Sequence, residues 1–440
     1  MRSLDDASAG SPGVSSETMT ILGTASVLIT LAALFGYVNY RFLRLPSNIG
    51  LMLSALITSL VAVALGEFGS HTLEKLAHHA LANVDFDQTL MHGMLSFLLF
   101  AGALHINLND LARQKWSVGF LASLGVVIST LIIGYATYWL FGLLGRGIPL
   151  IYCLLFGALI SPTDPIAVLS ILKSMGADRA LENKMAGESL FNDGVGVLVF
   201  LVLLSIATGE HPASLRSVLT LFLEEAIGGG LFGLLTGYLA YRMLRQVDDY
   251  EVEILITLAL VMGGYALATA LHLSGPIATV VAGLLIGNHG RRLAMSKQTR
   301  EHLDTFWQLI DGILNAILFV LIGLEALLLP FEAAFAWAAV LAIPVVLLAR
   351  LISVSLPALV PGLRREFSRK VIVALTWGGL RGGISIALAL ALPDVPARNA
   401  LITTTYAVVV FSILVQGLTV VRVLRSPVLQ ASSKARAAEE

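Results

Sequence analysis

The chain has 440 residues, 57% of them hydrophobic and only 13% charged, and its mean hydropathy of +0.84 lies far outside the make-up of a soluble globular protein. A formal net charge of −1 gives no reason to expect a nucleic-acid partner, and the single cysteine, Cys153, excludes an internal disulfide and has no metal-type companions. This is the composition of a polytopic membrane protein, with the lipid bilayer as its surroundings.

Residues 1–18 are polar, with Asp5, Asp6 and Glu17, and lack the basic start and apolar core of a secretory signal. They read as a mobile tail. Cutting the chain at its charged and Pro/Gly-rich breaks predicts thirteen apolar segments, roughly 19–40, 47–66, 89–106, 117–141, 149–172, 184–207, 217–244, 252–271, 275–288, 303–328, 333–360, 370–392 and 399–424. The ninth is short for a crossing. An odd number of crossings puts the two ends on opposite sides. With the C-terminus inside, most of the 28 lysines and arginines face the cytoplasm, and only Arg2, Lys75, Arg146, Arg216 and Arg398 lie outside. The expectation is a multi-pass protein of the cell (inner) membrane, N-terminus outside and C-terminus cytoplasmic. No loop is long enough for a folded soluble domain, so 19–425 reads as one transmembrane domain and 426–440 as a disordered cytoplasmic tail.

Segment five carries Ser161-Pro162-Thr163-Asp164-Pro165 in its middle. Two prolines three apart break a helix and free carbonyls that persist in hydrocarbon only if something polar satisfies them. Asp164 lies between the prolines, where it either caps a second half-helix or serves a transported ion. Segment twelve has a matching interruption, Gly378-Gly379-Leu380-Arg381-Gly382-Gly383. The two breaks run in opposite directions seven crossings apart, as an inverted repeat requires. If they cross, Asp164 offsets the positive half-helix N-termini and Arg381 the negative C-termini. The predicted fold is therefore an all-α polytopic membrane protein of about 13 transmembrane helices with inverted repeats, segments 5 and 12 being broken and crossing.

Segment six contains Gly187-Glu188-Ser189-Leu190-Phe191-Asn192-Asp193-Gly194. Ser189 and Asp193 are four apart, as are Glu188 and Asn192, which sets four polar groups on two neighbouring stripes of one helix. Arg350, within segment eleven at a depth similar to Glu188, is the expected ion-pair partner of that acid. Glu224 and Glu225 are adjacent and cannot share a face, so an interfacial or packing role is expected. Asp311 and Asn315 form an i, i+4 pair that could line an entrance funnel or lock helices together, and the sequence leaves both open. His92, His105 and His272 lie near segment ends and read as ordinary hydrogen-bonded histidines.

The motifs of segments five, six and twelve, in this order and spacing, closely resemble the monovalent cation/proton antiporters of the NhaP-like sodium/proton type, over about residues 20–424. The resemblance implies a homodimer, each protomer with an interface bundle and a six-helix ion-transporting core. It makes Asp193 and Asp164 the cation- and proton-binding acids, Ser189 and the Thr163 backbone ligands of Na+, and Asn192 the neutral neighbour of Asp193. It also supports the Glu188–Arg350 pair. One departure is Ala101, where some relatives carry an acid.

These residues permit transport without enzyme chemistry or a cofactor: Na+ and H+ are the substrates, and a small hard cation needs several oxygen ligands to replace its water. Proton and sodium compete for one carboxylate, and a site that turns only when occupied converts competition into exchange. An intramembrane aspartyl protease using Asp164 and Asp193 is the enzymatic alternative, but its usual Gly-x-Gly-Asp setting is absent. A cation channel would need a filter sequence or a continuous polar face, and neither is found.

Overall fold

The computed structural model describes residues 14–67, 93–174, 178–212, 214–291, 295–325, 333–395 and 397–425. His92, most of the outer loop 67–88 and the tail 426–440 lie outside the described residues. Among the described residues the chain is helical throughout, and its single β-type pairing is the bridge Asp164–Leu380. Among the described residues eight helices are long and apolar enough to cross a membrane. With the shorter and interrupted helices, the described residues make thirteen helical segments matching those read from the sequence. The large hydrophobic side chains left exposed, such as Leu143, Trp139 and Leu231, are those of a surface that meets lipid.

Two compact units divide the chain, Met1–Asp85 with Ala316–Leu328, and Phe86–Asn315 with Leu329–Glu440. In the first, α1 (Val14–Val38) begins inside the stretch read from sequence as a tail, because a nucleated helix gains one bond for each residue it adds. A π turn, Asn39–Leu43, follows. The Asn39 side chain donates to the Leu45 carbonyl at 3.0 Å and accepts from its N–H at 3.2 Å, closing the bend before α2 (Ser47–Glu67). Ser59 in α2 donates to the Gly323 carbonyl at 2.8 Å.

The second unit begins with α3 (Leu95–Leu104), the short α4 (Leu108–Arg113), and α5 (Lys115–Ala122) running into α6 (Leu124–Leu143). Segment five is two half-helices, α7 (Leu150–Ile160) and α8 (Ile166–Ser174). Then come α9 (Arg179–Ala207), α10 (Leu215–Leu244), α11 (Tyr250–Ala270) and α12 (Gly275–Leu285), which a π turn extends to Gly290. That turn lengthens the segment that looked too short from sequence. α13 (Lys297–Glu325) and α14 (Ala333–Ser355) follow. Segment twelve is again two half-helices, α15 (Arg369–Trp377) and α16 (Gly383–Leu390). The last segment is α17 (Arg398–Phe411), a π turn at Ser412–Gln416, and α18 (Gly417–Leu424). Side-chain caps mark the starts: Asp178, Asp249, Ser274 and Ser368 each accept from a backbone N–H of the first turn.

Among the described residues of this unit, two clusters of buried side chains stand out. One contains Leu121, Val168, Met185, Val354, Leu375 and Val420, drawn from segments four, five, six, eleven, twelve and thirteen. The other contains Phe100, Ala240, Val261, Ile286 and Trp307, from segments three, seven, eight, nine and ten. Lipid is as apolar as these side chains, so close packing and satisfied polar groups hold such helices together rather than transfer from water. Trp307 is fully buried and its indole N–H donates to the Thr257 hydroxyl at 3.1 Å.

Candidate ion site

Pro162 and Pro165 end α7 and delay α8, leaving Ser161–Pro165 outside either helix. The glycines of segment twelve do the same between α15 and α16. The two non-helical stretches cross: the Asp164 N–H donates to the Leu380 carbonyl at 2.8 Å, and a Cβ on Gly382 would stand 2.7 Å from an Asp164 carboxylate oxygen. Only glycine admits Asp164 at this crossing.

The carbonyls freed by the break are taken up one by one. Arg381 Nη1 donates to Ser161 O at 2.6 Å and Pro162 O at 2.9 Å. The Ser189 hydroxyl donates to Thr163 O. Asn192 spends both ends of its amide on Thr163, donating to its hydroxyl at 2.9 Å and accepting from its backbone N–H at 3.3 Å. Thus α9 clasps the non-helical stretch through Ser189 and Asn192 while Asp193, next along, is left partly exposed. Gly196, one turn on, lets α9 approach so closely that a Cβ there would meet Pro162 Cγ at 2.3 Å.

Both half-helices that end at the crossing carry an arginine on their last carbonyls, where the helix dipole favours a cation. For α7 it is Arg381. For α15 it is Arg350, whose Nε and Nη2 donate to Leu375 O at 3.2 and 3.1 Å. Arg350 also forms a bidentate ion pair with Glu188, its Nη2 lying 3.0 Å from Oε2 and its Nη1 bonded to Oε1. Both partners are buried, Glu188 being 1% exposed and Arg350 5%. Backbone placement of Arg381 is completed by Ser412, whose hydroxyl accepts the Arg381 N–H at 2.9 Å. The structure therefore gathers Thr163, Asp164, Ser189, Asn192, Asp193 and Arg381 at the crossing, with Glu188–Arg350 one turn away along α9.

Asp193, next to Asn192 on α9, and Asp164, at the crossing, add two carboxylates to this group of hydroxyl and carbonyl oxygens. This is the donor set of a hard cation. Ser189 and Thr163 each retain oxygen lone pairs toward such an ion, because in the bonds described Ser189 acts as donor and Thr163 Oγ1 accepts only one. The adjacent glutamates lie elsewhere: Glu224 is exposed, and Glu225 is half-buried where its carbonyl accepts from the Ser274 N–H at 3.4 Å. His105 bonds the Ala101 carbonyl at 2.7 Å.

Sequence reasoning missed three features. The Arg350 contact with the end of α15 pairs residues 25 apart in the chain, and no local pattern announces it. Lys184, counted only as a cytoplasmic positive charge, is buried and pairs with Glu366 at 3.1 Å, whose carboxylate also accepts from the Ser117 hydroxyl. Glu253 is fully buried with neither carboxylate oxygen hydrogen-bonded; the apolar run that follows it was the only signal of its depth.

A family model described as the transmembrane domain of sodium/hydrogen exchangers matches residues 28–426. Over 405 residues the chain is 51% identical to the Na(+)/H(+) antiporter NhaP of Pseudomonas aeruginosa, covering 91% of this chain and 95% of the relative. It is 37% identical over 392 residues to the Na(+)/H(+) antiporter NhaH of Halobacillus aidingensis, covering 88% and 93%. Among solved structures, the sodium proton antiporter MjNhaP1 from Methanocaldococcus jannaschii at pH 8 aligns with a TM-score of 0.74 at 20% identity, over 93% of this chain and 100% of that one.

Proposed function

The chain belongs to the sodium/hydrogen exchanger family, a family of transporters and not of enzymes, and from that premise we propose that it exchanges Na+ for H+ across the membrane as a secondary antiporter. The observation that carries this reading is the crossing itself: the Asp164 N–H meets the Leu380 carbonyl, Ser189 and Asn192 of α9 bind Thr163 with Asp193 next along that helix, and Arg381 and Arg350 sit on the carbonyls at the helix ends.

In the proposed cycle Asp193 is the exchanging acid. A sodium ion entering the cluster takes oxygens from Asp193, Asp164, Ser189 and Thr163, and the proton on Asp193 departs; a returning proton reverses the step. Asn192 holds the non-helical stretch in place, and its amide carries no proton. Glu188 is committed to its ion pair with Arg350 and takes no part in the exchange. Exchange is then one proton for one sodium and electroneutral. Alternating access comes from one bundle moving against another around the site. No cofactor enters this scheme. The protein is proposed to be a homodimer in the cell (inner) membrane, with its N-terminus outside and its C-terminus in the cytoplasm. Neither the aspartyl protease nor the channel reading is favoured by the family.

Purified protein in vesicles loaded with a pH-sensitive dye tests this. Addition of Na+ should drive proton movement that saturates and reverses with the imposed gradient, and parallel additions of Li+ and K+ read the selectivity. No cation-dependent proton flux, with intact protein in the vesicles, would sink the antiport reading.

A further inference from the structure

The corner between α1 and α2 carries charge that the ion site does not use. Between Thr18 and Gly66 the chain has no acidic residue, and its only charged side chains are Arg41 and Arg44. Both are exposed, and among the described residues neither forms an ion pair or a side-chain hydrogen bond. Positive charge at the end of a membrane helix is ordinary, since topology and the helix dipole both favour it. Neither effect requires the recess in which these two are found. Arg41 and Arg44 line an open groove of about 690 Å³ together with Asn39, Tyr40 and Ser47. Small-molecule sites span about 300–1,000 Å³, so the groove has room for a ligand.

The corner is fixed from within. The Asn39 side chain bonds both backbone groups of Leu45, and the Arg44 N–H donates to the Asn39 carbonyl at 2.7 Å. Gly50 brings α2 so close that a Cβ there would stand 2.1 Å from Asn39 Oδ1. Pro46 precedes α2 and has no side-chain group to cap it. Among the described residues the N–H groups of Ser47, Asn48 and Ile49 therefore donate to nothing, the first bond of the helix being Gly50 N–H to Pro46 O at 2.9 Å. Ser47 brings this positive helix end to the groove, beside the two guanidinium groups. Tyr37, Tyr40 and Phe42 are exposed around the corner, as aromatic side chains are at a water–lipid boundary. Leu34 and Ile29, further back along α1, are exposed as well.

We propose that this groove binds the headgroup of an anionic phospholipid. Its phosphodiester is held by Arg41, Arg44 and the first N–H groups of α2, and its acyl chains lie along the exposed apolar side chains of α1. Two arginines are too few for a polybasic patch, but enclosed in a groove they suit one phosphate. A zwitterionic headgroup brings its own cation and gains less from them. A free phosphate would meet the same donors but has nothing to lay against Leu34 and Ile29. The inference concerns the surrounding membrane and does not rest on the antiport reading.

The test is binding of dioctanoyl phosphatidylglycerol to the purified full chain in a neutral detergent, counted by native mass spectrometry, with dioctanoyl phosphatidylcholine and inorganic phosphate as parallel arms. Phosphatidylglycerol should bind more tightly than phosphatidylcholine, and inorganic phosphate should not displace it at matching concentration. Arg41→Gln and Arg44→Gln should each weaken phosphatidylglycerol about fivefold, and the double variant about 25-fold, the effect of one basic residue apiece near an anionic lipid. Ser47→Asp puts an acid where the helix end accepts it and a phosphate does not; it should weaken binding by a similar factor to one arginine, and it serves if loss of the arginines disturbs folding. Arg242→Gln/Arg245→Gln removes two exposed arginines at the end of α10 and should leave the affinity unchanged. Equal binding of the two lipids, wild-type affinity in Arg41→Gln/Arg44→Gln and Ser47→Asp, or an equal loss in the α10 variant would overturn the proposal. Displacement by inorganic phosphate at matching concentration would overturn it too, by assigning the groove to free anions. Proton flux is not read, so failure here is separate from failure of the antiport reading.

Discussion

Replacing Arg350 by methionine removes a guanidinium that four contacts hold in place: two to Glu188 and two to the Leu375 carbonyl. An ion pair in water would be worth less than about 1 kcal/mol. Here water is excluded, since Glu188 is 1% exposed, and the variant leaves a buried carboxylate without a counter-charge. The expected loss is about 3–5 kcal/mol. Part of it comes from the end of α15, which loses charged donors from its last turn. Glu188→Gln should cost less, about 1.5–3 kcal/mol, because Arg350 keeps the Leu375 carbonyl and gains a neutral acceptor. The double variant Glu188→Met/Arg350→Met strands no charge and should recover most of the loss. Chemical denaturation of the purified protein in mixed micelles measures all four corners of the cycle. Arg350→Met as stable as wild type, or a double variant no better than the worse single, would refute the reasoning that the pair is held by mutual neutralisation.

Asp193→Ala should abolish exchange while leaving yield and thermal stability near wild type, because Asp193 clasps nothing; retained sodium-dependent proton flux would remove it from the cycle. Gly382→Ala puts a methyl 2.7 Å from the Asp164 carboxylate and should cost about 1–3 kcal/mol together with most of the transport rate, so wild-type exchange in that variant would mean that Asp164 does not have to stay at the crossing. The sodium gradient at which proton flux stops should be the same with the membrane clamped at zero or at a large negative potential. One net charge per cycle would couple transport to voltage by about 2.3 kcal/mol per 100 mV, and a null point that moves with voltage would mean that a second acid also exchanges its proton.

The architecture was legible because its determinants are local. Paired prolines at 162 and 165 and the glycines at 378, 379, 382 and 383 around one arginine interrupt their helices through local chemistry, and an acid or arginine within an apolar run marks a polar interior. The same locality explains what was hidden. Asn192 reads as the neutral neighbour of an acid, and only the folded chain reveals that both ends of its amide are committed to Thr163. Burial of Lys184 depends on Glu366, 182 residues away. The ninth segment looked too short because a π turn, here Ile286–Gly290, leaves no mark that hydropathy can register.

The π turn nearest the C-terminus, at Ser412–Gln416, bears on how this protein tolerates changes of length. An extra residue in an α-helix ordinarily swings everything beyond it by about 100°. A π turn absorbs the extra residue in one wider ring, here closed by the Gly417 N–H on the Ser412 carbonyl, so the flanks stay in phase. Deleting the exposed Val415 should therefore yield an unbroken last helix that inserts normally, with Thr404 and Val420 still facing the bundle. Its lesion would be confined to Ser412, which holds the Arg381 N–H, and Gln416, which donates to the Trp377 carbonyl at 3.1 Å. A codon gained or lost at this point alters the backbone support of the crossing without unfolding the helix that provides it.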